Sequence, residues 1–139
     1  MYLSLFYHYH SRFTQQLARK KKDLPLLEEV TITGLAGEGK ALTHIEGKVL
    51  FVPFAAPGDV CDIQITKKKS SFMEGKIARI ITPAPERKQP LCSHLTICGG
   101  CKWQHLPYSL QLASKEQVVR DALQRIVKIE VDEYLPILG

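Results

Sequence analysis

Short runs of alternating apolar and polar residues, separated by glycine and proline, occupy the stretch from Val30 to about Thr82. The segment VTITG places Val30 and Ile32 on one face, and GKALTHIEGKVLFVPF divides into two strands that meet at a turn near Glu46-Gly47. Successive side chains of a strand point to opposite faces, so these runs are typical of half-buried strands. Several short strands with regular turns and no helical pattern predict a mainly β fold, a small five-stranded closed barrel.

Two further strands are predicted in VCDIQITKKKSSFMEGKIARII, joined by a turn at KKKSSF. In the first of them, alternation places Cys61, Ile63 and Ile65 on one face. A free cysteine commonly behaves as a small buried hydrophobe, so we assign Cys61 to the core of the barrel and not to a metal site.

Three of the chain's four cysteines, Cys92, Cys98 and Cys101, lie within LCSHLTICGGCKWQH, which spans residues 91–105. We expect a cytoplasmic chain, because its first residues do not resemble a secretory leader and it has no apolar run of about 18 residues. In that reducing compartment, clustered thiols bind metal more often than they form disulfides. These three cysteines are therefore the predicted metal ligands.

The identity of the metal stays open on spacing alone, because close cysteine pairs suit both zinc and an iron-sulfur cluster. His94 or His105 could complete a Cys3His zinc site, although we interpret both histidines first as supporting or packing residues. Gly99 and Gly100 favour the cluster modestly, since a backbone without side chains can fold tightly around it.

The formal net charge is +5, and much of the positive charge lies in two lysine runs. Such runs indicate a polyanion partner, but they are equally typical of solvated tails and turns. The candidate phosphate-contacting residues are Lys20, Lys21, Lys22, Lys67, Lys68 and Lys69.

The composition also predicts how the chain is divided. Residues 1–25 are expected to be a poorly ordered extension, 26–84 the barrel, and 85–139 the cysteine loop and a helix. TPAPERKQP, with three prolines, predicts a stiff connector between barrel and loop. After the loop, an apolar stripe at helical spacing predicts one amphipathic helix, formed by Leu112, Val119, Leu123 and Ile126.

The stretch from VTITG to KIARI, with its glycine-rich first turn and its VPFAAPGD corner, resembles a TRAM domain. TRAM domains are oligonucleotide-binding-type barrels of RNA-modifying enzymes, so the resemblance implies that Lys67, Lys68 and Lys69 contact RNA phosphates. Phe51, Phe54 and Phe72 could stack on bases, but aromatic residues of a small barrel are more often buried, and we favour core positions for them.

The cysteine pattern C-x5-CGGC-x2-QH, directly after this segment and before YSLQL, is similar to that of bacterial RNA (uracil-5-)-methyltransferases that carry a 4Fe-4S cluster, notably the large-subunit ribosomal RNA enzymes. The resemblance implies a fourth cysteine ligand, an S-adenosylmethionine-binding domain and a catalytic cysteine, all beyond this sequence. We therefore expect an RNA-binding, cluster-binding monomer with ribosomal RNA as partner, no membrane association and no methyl transfer on its own. The alternatives are a stand-alone RNA-binding module with a zinc knuckle and a small electron carrier.

Overall fold

The structure, a computed structural model, describes residues 24–138. Its strands form one six-stranded sheet in the order β1-β5-β6-β4-β3-β2, antiparallel except for the parallel pair of β4 and β6. The strands are β1 Leu26–Thr31, β2 Gly34–Leu35, β3 Lys40–Ile45, β4 Lys48–Pro53, β5 Val60–Lys68 and β6 Phe72–Thr82. A 3-10 turn spans Gly37–Gly39, helix α1 spans Tyr108–Asp121, and a π-helical turn follows at Ala122–Val127.

The two edge strands of this sheet, β1 and β2, are joined by only two residues, Ile32 and Thr33. So short a connection forces the edges towards each other, and the sheet curls into a half-barrel. This confirms the predicted mainly β, barrel-type fold. The number of strands is six and not the predicted five. The sequence does not reveal the additional strand, β2, because its two residues are too few to show alternation.

The core lies inside the curl and consists of inward-facing residues of alternate strand positions. Cys61 and Ile63 are fully buried and Ile65 nearly so, as the alternation predicted. The same core contains Val30, Ile32, Ala41, Leu50, Val52 and Met73. Burial of these apolar side chains is the main favourable contribution to folding of the barrel.

Of the two predicted hairpin turns, the structure has the first at the expected residues and the second in a shorter form. Glu46 and Gly47 connect β3 to β4, and both have left-handed φ values, 50° and 74°, as in a tight hairpin turn. The second turn is shorter than predicted, because β5 continues through Lys68 and pairs it with Met73 of β6. Lys67 and Lys68 therefore lie in a strand, not at the tip of the hairpin.

The connector and the helix pack differently from the sequence expectation. Ala84 of the connector is buried in a small second cluster with Ala56 and Leu106, so the connector is part of the packed structure. Of the predicted apolar stripe, Val119 in α1 and Ile126 in the π-helical turn are 54% and 80% exposed. The helix instead contacts the second cluster through Leu110 and buries Ser114.

Two further expectations concern the ends of the chain and the membrane. The candidate contact residues Lys20, Lys21 and Lys22 lie outside the described part of the chain. The same holds for residues 1–23, for which poor order is predicted. Between residues 24 and 138, no helix has the length and apolar character required to span a bilayer.

Candidate nucleic-acid interface and cysteine loop

A buried ion pair fastens the connector to the VPFAAPGD corner. The Asp59 carboxylate is fully buried and accepts hydrogen bonds from the backbone N–H groups of Ala56 (2.7 Å) and Ala84 (2.8 Å). Nη1 of Arg87 lies 2.5 Å from the same carboxylate, and its Nη2 donates to the carbonyl oxygen of Phe54 at 3.1 Å. Three of these four hydrogen bonds, one from Ala84 and two from Arg87, therefore join the connector to the corner.

His105 makes a second contact between the cysteine segment and the same corner. Its ring is fully buried, and Nε2 lies 3.1 Å from the carbonyl oxygen of Ala55. Burial lowers the pKa of His105, so the ring is neutral and its Nε2–H donates to that carbonyl. The backbone N–H of Lys88 donates to the His105 carbonyl at 2.9 Å. His105 is a packing residue, as first interpreted from the sequence.

Trp103 packs on the backbone of Gly39. A Cβ at position 39 would lie 2.8 Å from Nε1 of Trp103, and the φ of Gly39 is 75°. Only glycine gives both the left-handed conformation and the close approach. The connector and the cysteine segment are thus held against the barrel at three places, by the side chain of Arg87 in the connector and those of Trp103 and His105 in the segment.

The three candidate ligands lie in the loop that these contacts anchor. Cys98 and Cys101 are exposed, Cys92 is half-buried, and all three are free thiols. The backbone N–H of Gly100 lies 3.4 Å from Sγ of Cys98, the type of hydrogen bond that stabilises a thiolate or a metal-bound sulfur. Gly99, with a φ of 72°, forms the bend between Cys98 and Cys101.

These thiols form a suitable donor set for a soft metal or an iron-sulfur cluster. The structure places them in one loop but does not bring them together: within residues 24–138, no three potential ligands are grouped for a metal ion. Cys61 is separated from them in the barrel core. Burial raises the pKa of its thiol to about 11, which disfavours the thiolate that metal binding requires.

One lysine of the second run, Lys67, lies against an aromatic side chain. Nζ of Lys67 lies 3.6 Å from Oε1 of Glu74 and 5.6 Å from the ring centroid of Phe72. Nζ of Lys48 donates to the carbonyl oxygen of Lys69 at 3.4 Å. Lys48 was not among the predicted residues, because the parallel pairing of β4 with β6 brings it there from far along the chain.

The phenylalanines correct another expectation, since none of the three is a fully buried core residue. Phe51 and Phe72 are half-buried on the outer side of the sheet and meet edge to face, with ring centroids 6.2 Å apart. Their strand neighbours Leu50 and Met73 occupy the inner side. Phe54 instead packs near His105, with ring centroids 6.3 Å apart.

Comparison with known proteins matches this chain to one domain family and to a group of longer proteins. Residues 28–78 match the TRAM domain family. An uncharacterized RNA methyltransferase of Porphyromonas gingivalis is 60% identical over 108 residues, which cover 78% of this chain and 23% of that protein. Two 23S rRNA (uracil(1939)-C(5))-methyltransferases, of Nitrosococcus oceani and Alcanivorax borkumensis, are 34% and 35% identical over 86% and 88% of this chain and 28% of each protein.

The chain spans about a quarter of the length of these curated relatives. For the two uracil-C5-methyltransferases, a match over 86–88% of the chain must include the six strands, the cysteine loop and most of the helix. Residues 28–78 therefore form a TRAM domain, within a chain that over most of its length is similar to RNA methyltransferases, among them 23S rRNA uracil-C5-methyltransferases.

Proposed function

We propose that this chain is the RNA-binding and iron-sulfur-binding portion of an S-adenosylmethionine-dependent RNA (uracil-5-)-methyltransferase that acts on ribosomal RNA. The proposal is carried by one observation: a three-cysteine segment packs on a TRAM domain through His105 and Trp103, and the connector that leads into it is fixed there by the buried Asp59–Arg87 pair. The names of the relatives support ribosomal RNA as the substrate class. We place the protein in the cytoplasm and expect it to be a monomer.

The RNA-binding surface is proposed at the lysines of β5 and the following turn. Lys67, Lys68 and Lys69 are all exposed, and Lys48 reaches the last of them, so positive charge is concentrated at this end of the sheet. Lysine contacts to phosphates contribute affinity that is independent of base sequence. Lys20, Lys21 and Lys22 are proposed as a second contact region.

Replacing Lys67, Lys68 and Lys69 together by alanine tests this surface. Affinity for single-stranded RNA should fall, and each lost phosphate contact should reduce the slope of log K against log salt by roughly 0.7. A control that removes the same charge elsewhere, Lys102, Lys115 and Lys128 to alanine, should leave the slope near that of the parent. Unchanged affinity and slope in a folded triple variant would place the RNA surface elsewhere.

The metal centre is proposed at Cys92, Cys98 and Cys101, with a 4Fe-4S cluster as the occupant. Support comes from the three accessible thiols, the Gly100 N–H directed at Cys98, and the bend at Gly99. When bound, a cluster would cross-link the loop and so hold it in one conformation. Zinc in a knuckle of a stand-alone RNA-binding module is the alternative.

Metal analysis of protein isolated without oxygen separates the two occupants. We expect iron and sulfide, labile because only three of the usual four cysteines are present. Changing any of the three loop cysteines to serine should reduce the iron content, whereas Cys61→Ala should leave it unchanged. Stoichiometric zinc without iron would favour the zinc knuckle.

Methyl transfer is assigned to the whole enzyme and not to this portion. The sequence shows no glycine-rich nucleotide-loop motif after a predicted strand and no recognisable set of a catalytic nucleophile with its general base. With ribosomal RNA and labelled S-adenosylmethionine, the chain alone should transfer no methyl group. Clear turnover by the chain alone would contradict the assignment.

A further inference from the structure

The outer side of the barrel carries a row of apolar residues where a solvated sheet would carry polar ones. On β3 and β4, Ala41, Leu50 and Val52 face the core, so Leu42, Val49 and Phe51 must face outward. Phe72 continues the row on β6. An outward apolar row beside lysines is unusual for a free surface and marks a contact site.

Two adjoining depressions follow this row. The larger, about 630 Å³, lies between the strands and the second half of α1 with the π-helical turn; Leu42 and Val49 form one wall, and Val118 and Arg125 the other. The smaller, about 350 Å³, is lined by Phe51, Phe72, Gly37, Lys40 and Glu74. Phe51 and Gly37 line both, so the two depressions form one continuous groove.

The open end of the groove combines aromatic faces with positive charge. Phe51 and Phe72 meet at an interplanar angle of 64°, so at most one ring can lie parallel to an incoming flat group. Nζ of Lys67 lies over the Phe72 ring, and Lys40 lines the same depression. The two carboxylates at this end, Glu38 and Glu74, are each paired with a lysine, at 3.5 Å and 3.6 Å.

This combination fits a nucleobase with its phosphate better than an apolar protein segment. A base stacks on an aromatic ring while the attached phosphate meets the neighbouring lysines. An apolar helix or strand laid here would instead bury Lys40 and Lys67 without offering them an additional negative charge, which is costly.

We propose that Phe51 and Phe72 form a base-stacking site for single-stranded RNA, with the strand continuing along the groove between the barrel and α1. The inference rests on the proposed RNA-binding function and adds to it the residues that hold a base. The lysines supply phosphate contacts at the entrance, and the phenylalanines hold one unpaired nucleotide against the sheet. A site of this kind distinguishes single-stranded from duplex RNA, because a stacked duplex offers no free base face.

The test compares two probes, a short oligouridine RNA and a ribose-phosphate strand of the same length that lacks bases. Exchanging both phenylalanines for leucine keeps the apolar bulk and removes the rings. The Phe51→Leu/Phe72→Leu variant should bind oligouridine roughly 5- to 150-fold more weakly, the range for loss of one stacked base. Its affinity for the abasic strand and its salt dependence should match those of the parent. Tyr108→Leu, an exposed aromatic residue that lines neither depression, is the matched control.

The possible results separate this inference from the proposed function. A parent that binds RNA and a variant that binds oligouridine equally well would overturn the stacking site and leave RNA binding intact. A parent that binds neither probe would overturn both. Equal loss for both probes would overturn the stacking site, because it would mean that the rings only shape the path of the backbone. A parent dimer that the variant dissociates would make this face an interface between copies, and would also overturn the stacking site.

A photochemical measurement covers the case in which the double variant does not fold. Oligouridine containing 5-iodouridine should crosslink to Phe51 or Phe72 of the unaltered chain, since the reaction requires close ring contact. Peptide mapping by mass spectrometry identifies the attached residue. Crosslinks confined to other residues would contradict the proposed site.

Discussion

The guanidinium of Arg87 lies 2.5 Å from the buried carboxylate of Asp59, which joins the connector before the cysteine loop to the corner between β4 and β5. Asp59 is fully buried and the Arg87 side chain is 18% exposed. The pair therefore fixes the start of the loop to the barrel, and any ligand that orders the loop is positioned relative to the barrel partly by this contact.

Arg87→Ala should destabilise the chain by about 3–5 kcal/mol, because it leaves a buried carboxylate without its counter-charge. Urea unfolding followed by circular dichroism measures the change in the free energy of unfolding. Arg125→Ala is the control: its ion pair with Asp121 is long, at 3.9 Å, and largely exposed, so the loss should stay below about 1 kcal/mol. Equal losses for the two variants would show that the Asp59–Arg87 pair has no special role.

The neutral state of His105 predicts how stability depends on pH. Burial lowers its pKa below the usual 6.5, so the unfolded chain binds a proton at a higher pH than the folded chain does. The contribution of neutral His105 to the free energy of unfolding is thus fully present above pH 6.5. It is lost as the pH falls from there through the folded-state pKa of the ring. Arg87 and Asp59 are the charged groups that act on this ring, in opposite directions.

The melting temperature should therefore decrease between about pH 7 and pH 5. Gln at position 105 can still donate a hydrogen bond to the Ala55 carbonyl but does not titrate in this range. His105→Gln should consequently flatten the decrease, as measured by thermal unfolding across the pH series. A variant whose pH profile has the same slope as that of the parent would remove His105 as the cause.

The four thiols should react at two distinct rates in reduced, metal-free protein. Cys92, Cys98 and Cys101 are accessible, whereas Cys61 is fully buried and has a pKa of about 11. At about pH 8, roughly one Cys61 in a thousand would be the reactive thiolate. A thiol-specific chromophoric reagent should titrate three groups quickly and the fourth only in denaturant. Cys61→Ala should abolish the slow group, and four rapid groups would contradict the buried position.

Gly39→Ala should separate the cysteine segment from the barrel. The left-handed backbone costs about 1–2 kcal/mol with a Cβ, and the added methyl would overlap Trp103. Because Trp103 is the single tryptophan, its fluorescence reports the displacement directly and should shift to longer wavelength. Gly37→Ala is the matched control, since a Cβ there meets nothing within 4 Å. Identical spectra for all three proteins would contradict the Trp103–Gly39 contact.

The alternation of residues along a strand predicts which side chains of the barrel face the core and which face outward. Cys61, Ile63 and Ile65 were correctly assigned to the core, because a period of two is a local property that the backbone of one strand imposes. The same rule applied to Phe51 and Phe72 would have placed them outside. The expectation that small-barrel aromatics are buried was preferred, and it was wrong for both.

The sequence by itself determined five of the six strands, the turn at Glu46-Gly47, the buried Cys61 and the clustering of three cysteines in one loop, because each depends on neighbours a few residues apart. Only the tertiary structure decided that Lys48 joins the second lysine run, that Arg87 neutralises Asp59 and that Trp103 rests on Gly39. These contacts join residues 21 to 64 positions apart, and they depend on the curl of the sheet and on the parallel pairing of β4 with β6. Such pairings carry no local period, so no pattern within a single segment can reveal them.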